Sequence, residues 1–164
     1  MPFAEFSRYP IRFGLQTGVI TAPQPSCLPL DETTFAEEMK SAGYSTHLVG
    51  KWHLGHYCPQ CLPQNRGFDT FYGFLTGAEG YMNKTWCINI QDDGPQRCGF
   101  DFYDQYQSTR SANGTYSTFQ FRDAVNRIIE SSHKSRNPFF IYLPFQSVHG
   151  PLEVPKNYTT LYPS

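Results

Sequence analysis

The chain has 164 residues, 39% of them hydrophobic and only 16% charged, with a formal net charge of −1 at pH 7. A domain of this size buries a real core, and the near-zero charge without any Lys/Arg block excludes nucleic acid and anionic membrane surfaces as partners. The longest apolar run, Phe139–Phe145, is far too short to span a bilayer, and the absence of repeats, heptads and low-complexity tracts leaves a loop-rich globular α/β unit.

Residues 1–31 are rich in Pro, Gly and aromatics, hold no sustained period, and read as loop with one short helical turn. Thr34-Phe35-Ala36-Glu37 has the form of a capping box. Phe35, Met39 and Ala42 then fall at i, i+4 and i+7 before Gly43, which predicts a short amphipathic helix with those three on its apolar face. Tyr44–Val49 reads as a strand ending at Gly50, so Lys51 stands at the carboxyl end of a strand. From Cys58 to Asn113, recurring Gly, Pro, Asp and Asn predict loop. The exception is Phe68–Leu75, which reads either as a short strand or as a packed aromatic turn. Phe121, Val125, Ile128 and Ile129 at i, i+4, i+7 and i+8 predict the core face of a second helix, capped by Ser117 or Thr118. Phe139–Phe145 reads as a buried strand, followed at once by Gln146-Ser147-Val148-His149-Gly150-Pro151. Both His-bearing loops thus follow strands, at the sheet edge where α/β folds bind ligands.

Five cysteines, Cys27, Cys58, Cys61, Cys87 and Cys98, accompany three glycosylation sequons at Asn83, Asn113 and Asn157. Together they favour the secretory pathway, lysosomal or extracellular, with Asn113, in a polar loop, the favoured acceptor. Met1–Gly14 has no basic stretch leading into an apolar one, so the expectation is a chain incomplete at its N-terminus.

The stretch most informative about chemistry is Gly43-Tyr44-Ser45-Thr46-His47-Leu48-Val49-Gly50-Lys51-Trp52-His53-Leu54-Gly55. An extended backbone puts Lys51 and His53 on one face and turns Trp52 inward. Lysine holds negative charge as a point donor and histidine moves protons near neutral pH, so the pair suits an oxyanion. Taken singly, Lys51 would be a solvated surface lysine, His53 a hydrogen-bonded core histidine and His149 a turn cap. His47 and His133 fit surface or packing roles, and the aromatics of 68–74 fit packing better than a sugar-lined groove.

From Gly43 to His53 this segment resembles the second signature of the sulfatases at every constrained position. Arg66-Gly67-Phe68-Asp69-Thr70-Phe71-Tyr72-Gly73, Tyr116-Ser117-Thr118 and Gln146-Ser147-Val148-His149-Gly150-Pro151-Leu152-Glu153-Val154-Pro155 are similar to arylsulfatase B-type enzymes in the same order. Asp31-Glu32, Arg12-Phe13-Gly14-Leu15-Gln16 and Gln24-Pro25-Ser26-Cys27 resemble them too. The resemblance implies an alkaline-phosphatase-like α/β domain, a mostly parallel sheet flanked by helices. It implies hydrolysis of sulfate esters, glycosaminoglycan sugars among them, by a formylglycine mechanism. Lys51 then grips sulfate oxygens, His53 takes a proton beside the nucleophile, and His149 binds sulfate and protonates the leaving alcohol. Cys27 would pair with Cys61 and Cys87 with Cys98, leaving Cys58 odd. A formylglycine-generating enzyme would be a partner of the full-length protein.

The chain departs from the family's pattern in two respects. No Cys-x-Pro-Ser-Arg motif, the source of formylglycine, occurs in the sequence, and the family's calcium ligands have no counterparts, Asp92-Asp93 falling in the wrong place. The expectation is therefore that residues 1–164 are a partial sulfatase domain, lacking the nucleophile-bearing and C-terminal parts, with no metal ligands of its own and no activity alone. Two rival readings stand beside it. One is an inactive sulfatase relative that binds sulfated ligands or a partner. The other is a small zinc-stabilised module built on His53-x-x-His56-x-Cys58-x-x-Cys61, whose donor types suit zinc but crowd four ligands into nine residues. A thioredoxin-like role for the same Cys-x-x-Cys lacks its βαβ setting.

Overall fold

The computed structural model describes residues 9–89 and 94–162, so Asp92-Asp93 lies outside the described residues. A single helical turn, Pro10–Phe13, precedes the first regular element. The Thr34 capping box closes as its spacing predicts: the Thr34 hydroxyl accepts from the Glu37 N–H at 3.0 Å, and the Glu37 carboxylate accepts from the Thr34 N–H at 2.7 Å. This starts helix α1, Phe35–Ser41, which gives way to Gly43 in the left-handed region (φ 87°).

Its buried face differs from the expected one. Ala36 is buried, while Phe35 is 43% exposed and Ala42 is exposed. The reason lies in Gly67: a Cβ there would stand 2.3 Å from the Glu37 nitrogen and 2.6 Å from the Ala36 carbonyl carbon. With backbone pressed on backbone, only a small side chain fits beneath the helix. Phe35 and Met39 instead line an apolar cavity of about 350 Å³ with Phe68, Phe140 and Tyr142.

Strand β1, Ser45–Lys51, runs two residues beyond the expected end, through Gly50. Then follow β2 (Thr70–Phe74), β3 (Thr85–Asn89), β4 (Gln96–Phe100), β5 (Tyr103–Asp104), β6 (Gln107–Ser108), helix α2 (Ser117–Ser135), β7 (Phe139–Tyr142) and a short α3 (Lys156–Thr159). The main sheet has the order β6-β5-β2-β1-β7, with β2 and β7 both parallel to β1, and β5 and β6 antiparallel. This is the mostly parallel α/β arrangement expected. Leu48, Phe71, Trp52 and Phe68 pack on one face with Leu28 and Ala36, while Val49 and Phe74 pack on the other with Phe102, Phe121 and Ala124.

The stretch expected to be loop holds the β3–β4 hairpin as well as β5 and β6. No alternation marks the hairpin in sequence; its stability comes from Cys87 and Cys98, which face each other in register and form a disulfide. A second disulfide joins Cys27 to Cys61. In α2 the residue before the helix is Tyr116, not Ser117 or Thr118, and the Ser117 hydroxyl turns inward to the Tyr81 carbonyl. The helix buries Phe121 and Ala124 and leans Val125 and Ile128 on the same cluster, whereas Ile129, about 100° further round, is 43% exposed. β7 ends at Tyr142 and is half-buried, because it pairs with β1 on one side only among the described residues.

Three chain segments converge at the carboxyl end of the sheet. A Cβ on Gly73 (φ 156°) would lie 2.0 Å from the Gly50 carbonyl oxygen, and one on Gly50 (φ 127°) 2.3 Å from the Pro144 carbonyl oxygen. Gly73→Ala is therefore expected to cost about 2–3 kcal/mol by overpacking, read by urea unfolding. Gly99→Ala, whose Cβ meets nothing within 4 Å, is the control; equal stability of the two variants would show that the strand ends are not in contact.

Candidate active site

Lys51 ends β1, and the backbone carries on past it through sheet-like bonds: Lys51 N donates to Pro144 O (3.1 Å), Trp52 N to Phe74 O (2.9 Å) and His53 N to Leu75 O (3.1 Å). Trp52 is buried as expected, its indole N–H shared between the carbonyls of Gly55 (3.0 Å) and Cys61 (3.1 Å). His53 departs from the extended path expected of it, with φ 58°. The turn carries its ring beneath the 19–28 segment, where Nε2 donates to the Ile20 carbonyl at 3.1 Å. With its proton committed there, neutral His53 keeps its lone pair on Nδ1, which is buried and has no hydrogen-bond partner among the described residues. Gly77 lies against the ring, since a Cβ there would stand 2.6 Å from Cε1 and 2.7 Å from Nε2.

The 19–28 segment is itself pinned. Leu28 N donates to Leu54 O at 2.9 Å, Cys27 is bonded to Cys61, and Gly55 (φ 91°) lets the Cys27 backbone pass where a Cβ would stand 2.5 Å from its Cα.

His149 arrives from the opposite side, on the exposed loop after β7. Its Nδ1 donates to the Gly150 carbonyl at 2.8 Å, leaving Nε2 for the site. Three bonds tie this loop to the 79–81 segment: Gln146 Nε2 to Glu79 O, the Tyr81 hydroxyl to His149 O at 2.9 Å, and Tyr81 N to Glu153 Oε2 at 2.6 Å. Tyr81 in turn is held by the fully buried Lys84, whose ammonium donates to Tyr81 O, to Thr115 O at 2.7 Å and to Ser117 Oγ at 2.9 Å.

Lys51, His53 and His149 line two adjoining cavities together, of about 400 and 450 Å³. Among the described residues, neither cavity has an aspartate or glutamate in its wall. The electrostatic result is plain in His53, pushed down to about 4 first by burial and then by the charge of Lys51, with His149 acting the same way. Burial also lowers Lys51. A negative group entering the cavity would oppose these shifts by stabilising the protonated forms.

The remaining sequence-derived candidates lie elsewhere. Cys61 is bonded to Cys27, and Cys58, a free thiol, stands with its Sγ 3.2 Å from that of Cys61. The four zinc donors therefore do not assemble; His56 faces a different cavity from His53's. Among the described residues no group of three or more His, Cys, Asp or Glu could hold a metal ion, so these residues do not fit calcium. Asn83, Asn113 and Asn157 are all exposed, and the Asn83 amide oxygen accepts from Thr85 N at 2.9 Å. Sequence reasoning missed Gly77, Tyr81 and Lys84 as site-shaping residues, and quoted Gln146 only for its resemblance. A glycine two residues past a strand end was the one local signal available.

A family model described as Sulfatase matches residues 4–164. Arylsulfatase J of Mus musculus is 42% identical over 96% of this chain and 25% of its own length. Arylsulfatase G of Homo sapiens is 32% identical over 87% of the chain and 31% of its own length. Among solved structures, that of Ps i-CgsB in complex with k-i-k-neocarrahexaose superposes with a TM-score of 0.72 and 26% identity, over 98% of this chain and 36% of that one. The chain thus spans about a quarter to a third of the length of the curated relatives it matches. With its fold, its Lys51–His53 segment and these matches in agreement, the chain belongs to the sulfatase family.

Proposed function

We propose that this chain supplies the sulfate-binding and proton-transfer side chains of a sulfuric ester hydrolase acting on sulfated sugars of the glycosaminoglycan kind. One observation carries the reading: Lys51, His53 and His149 converge on the same two adjoining cavities, with no carboxylate in the walls among the described residues. Lys51 is the fixed positive charge for sulfate oxygens. His149, with Nδ1 committed to Gly150, presents Nε2 to protonate the leaving alcohol. His53 takes up a proton at its bare Nδ1 once an anion offsets the charge of Lys51. Formylglycine supplies the attacking oxygen in this family, and neither its Cys-x-Pro-Ser-Arg source nor a calcium-binding cluster is found among these residues. No step is derived through either. Residues 1–164 act as a partial sulfatase domain that binds without turnover, and none of the three side chains is a credible nucleophile for sulfur. The purified chain is expected to leave p-nitrocatechol sulfate intact; hydrolysis above a buffer blank would overturn that.

Inorganic sulfate provides the direct test, with calorimetry as the readout. Lys51→Ala is expected to weaken binding about tenfold, the worth of one charge-assisted contact. A bound anion raises the low value of His53, so binding takes up protons and tightens as pH falls from 7 towards 4. The sulfate-free fold has the opposite trend: the stability that neutral His53 contributes is present above its ordinary value of about 6.5 and lost as pH falls towards about 4. His53→Gln should flatten both profiles. Binding unaffected by Lys51→Ala would refute the site.

The compartment reading joins this one. No helix among the described residues is long and apolar enough to cross a membrane, and two disulfides suit the secretory pathway, where the protein would be lysosomal or extracellular. Expressed through that pathway, the protein should carry a glycan at Asn113 in its exposed polar loop, with Asn83 and Asn157 as further exposed acceptors. Mass spectrometry after enzymatic deglycosylation reads the outcome, and occupancy of Asn83 alone would contradict it.

A further inference from the structure

The hairpin β3–β4 leans against the candidate site, and its register sorts its side chains by face. Cys87 and Cys98 oppose each other, while Trp86 opposes Gly99 and Ile88 opposes Arg97. Alternation puts the disulfide on one side of the ribbon and Trp86, Ile88 and Arg97 on the other. That second side looks into the site. Trp86 and Ile88 line the 400 Å³ cavity with Lys51, His53 and His149, and they also line an adjoining cavity of about 310 Å³ with Arg97 and His56.

Two features keep this surface open to a ligand. A Cβ on Gly99 would meet nothing within 4 Å, so the cross-strand neighbour of Trp86 leaves the space beside its ring empty. The one carboxylate in the second cavity among the described residues, Asp101, is used internally: it accepts from Leu75 N at 3.1 Å, from Thr76 N at 2.9 Å and from the Thr76 hydroxyl. Along the groove the pattern is cationic, then apolar and aromatic, then cationic again.

We propose that Trp86, Ile88, Arg97 and His56 form a second subsite for the sugar ring next to the sulfated one. Trp86 stacks on the ring's apolar face, and Arg97 with His56 binds an acidic group carried by that ring. The substrate class is thus an acidic oligosaccharide of two or more rings, not an isolated monosulfate. The 400 Å³ cavity alone is far larger than a single tetrahedral anion, as a two-ring ligand requires. The inference rests on the sulfate reading of Lys51, His53 and His149.

Calorimetry with three probes separates the two readings: inorganic sulfate, N-acetylgalactosamine 4-sulfate, and a disaccharide joining that sugar to a uronic acid. The disaccharide should bind about tenfold more tightly than the monosaccharide, the worth of a stacked ring plus one charge-assisted contact. Arg97→Gln should remove most of that gain and leave the monosaccharide unchanged. Gly99→Leu, placed in open space, should block the disaccharide and spare inorganic sulfate. If sulfate and monosaccharide bind in a Lys51-dependent way but the disaccharide gains nothing, or its gain survives Arg97→Gln, the second subsite is refuted and the first stands. If inorganic sulfate does not bind, both fall. Should Gly99→Leu also lose sulfate, Arg97→Gln decides.

Discussion

Close contact between glycine backbones at the carboxyl end of the sheet is the constraint from which the site follows. Gly73 lies where any side chain would strike the Gly50 carbonyl, and Gly50 where any side chain would strike Pro144. The 70–74, 45–51 and 139–144 segments are thereby drawn together at their ends, closer than side chains would allow. What comes next in each chain is then delivered to one place: Lys51 and His53 after the first glycine, Gly77 after the second, Gln146 and His149 after Pro144. The backbone bonds that continue past Lys51 to Phe74 and Leu75 keep this delivery rigid as far as His53. Catalytic geometry of this kind needs support from fixed elements, and here the sheet end gives it.

Beyond the sheet the support is polar and buried. Lys84 has no exposed surface, yet its three donors meet three acceptors from Tyr81, Thr115 and Ser117. An ammonium fully satisfied in this way can stay charged where an unpaired one could not, even though burial lowers Lys84 and raises its neighbour Glu79. Through Tyr81 that one ammonium reaches the His149 loop. Arg66 does the equivalent on the other face of the sheet. Its guanidinium donates to the carbonyls of Leu28 and Glu32, at 3.2 and 2.6 Å, and to Glu37 at 3.3 Å. Long loops are thus stitched by cations to carbonyl oxygens, which is how a chain poor in helix can hold its site in place.

Much of this was legible in sequence because it is local. The Thr34 capping box, the stop at Gly43, the strand into Lys51 and the period of α2 are each written within a few residues. Lys51 and His53 could be paired from spacing, and His149 joined to them only through resemblance, since nothing in the 95 residues between His53 and His149 fixes where that loop lands. The misread elements depend on distant partners. Phe35 looks like a core residue until Gly67 presses on the helix beside it; Ile129 looks equal to Ile128 until Phe102 and Phe121 define the centre of the contact. The β3–β4 hairpin is set among turn-forming residues, and its identity as a ribbon lies in a Cys87–Cys98 pairing that no local pattern encodes.

The same distinction explains why the candidate site is the least self-consistent part of the fold. A sequence that only had to fold would not turn a lysine and two histidines into cavities that, among the described residues, hold no carboxylate and no partner for the buried His53 Nδ1. Neutral His53 and the depressed Lys51 show the fold accommodating those charges by weakening them, at a cost in stability. On the proposed reading, an oxyanion would offset that cost by giving Lys51 a counter-charge and drawing His53 back towards its ordinary basicity. That cost at Lys51 and His53 is what the proposed role of the cavity accounts for.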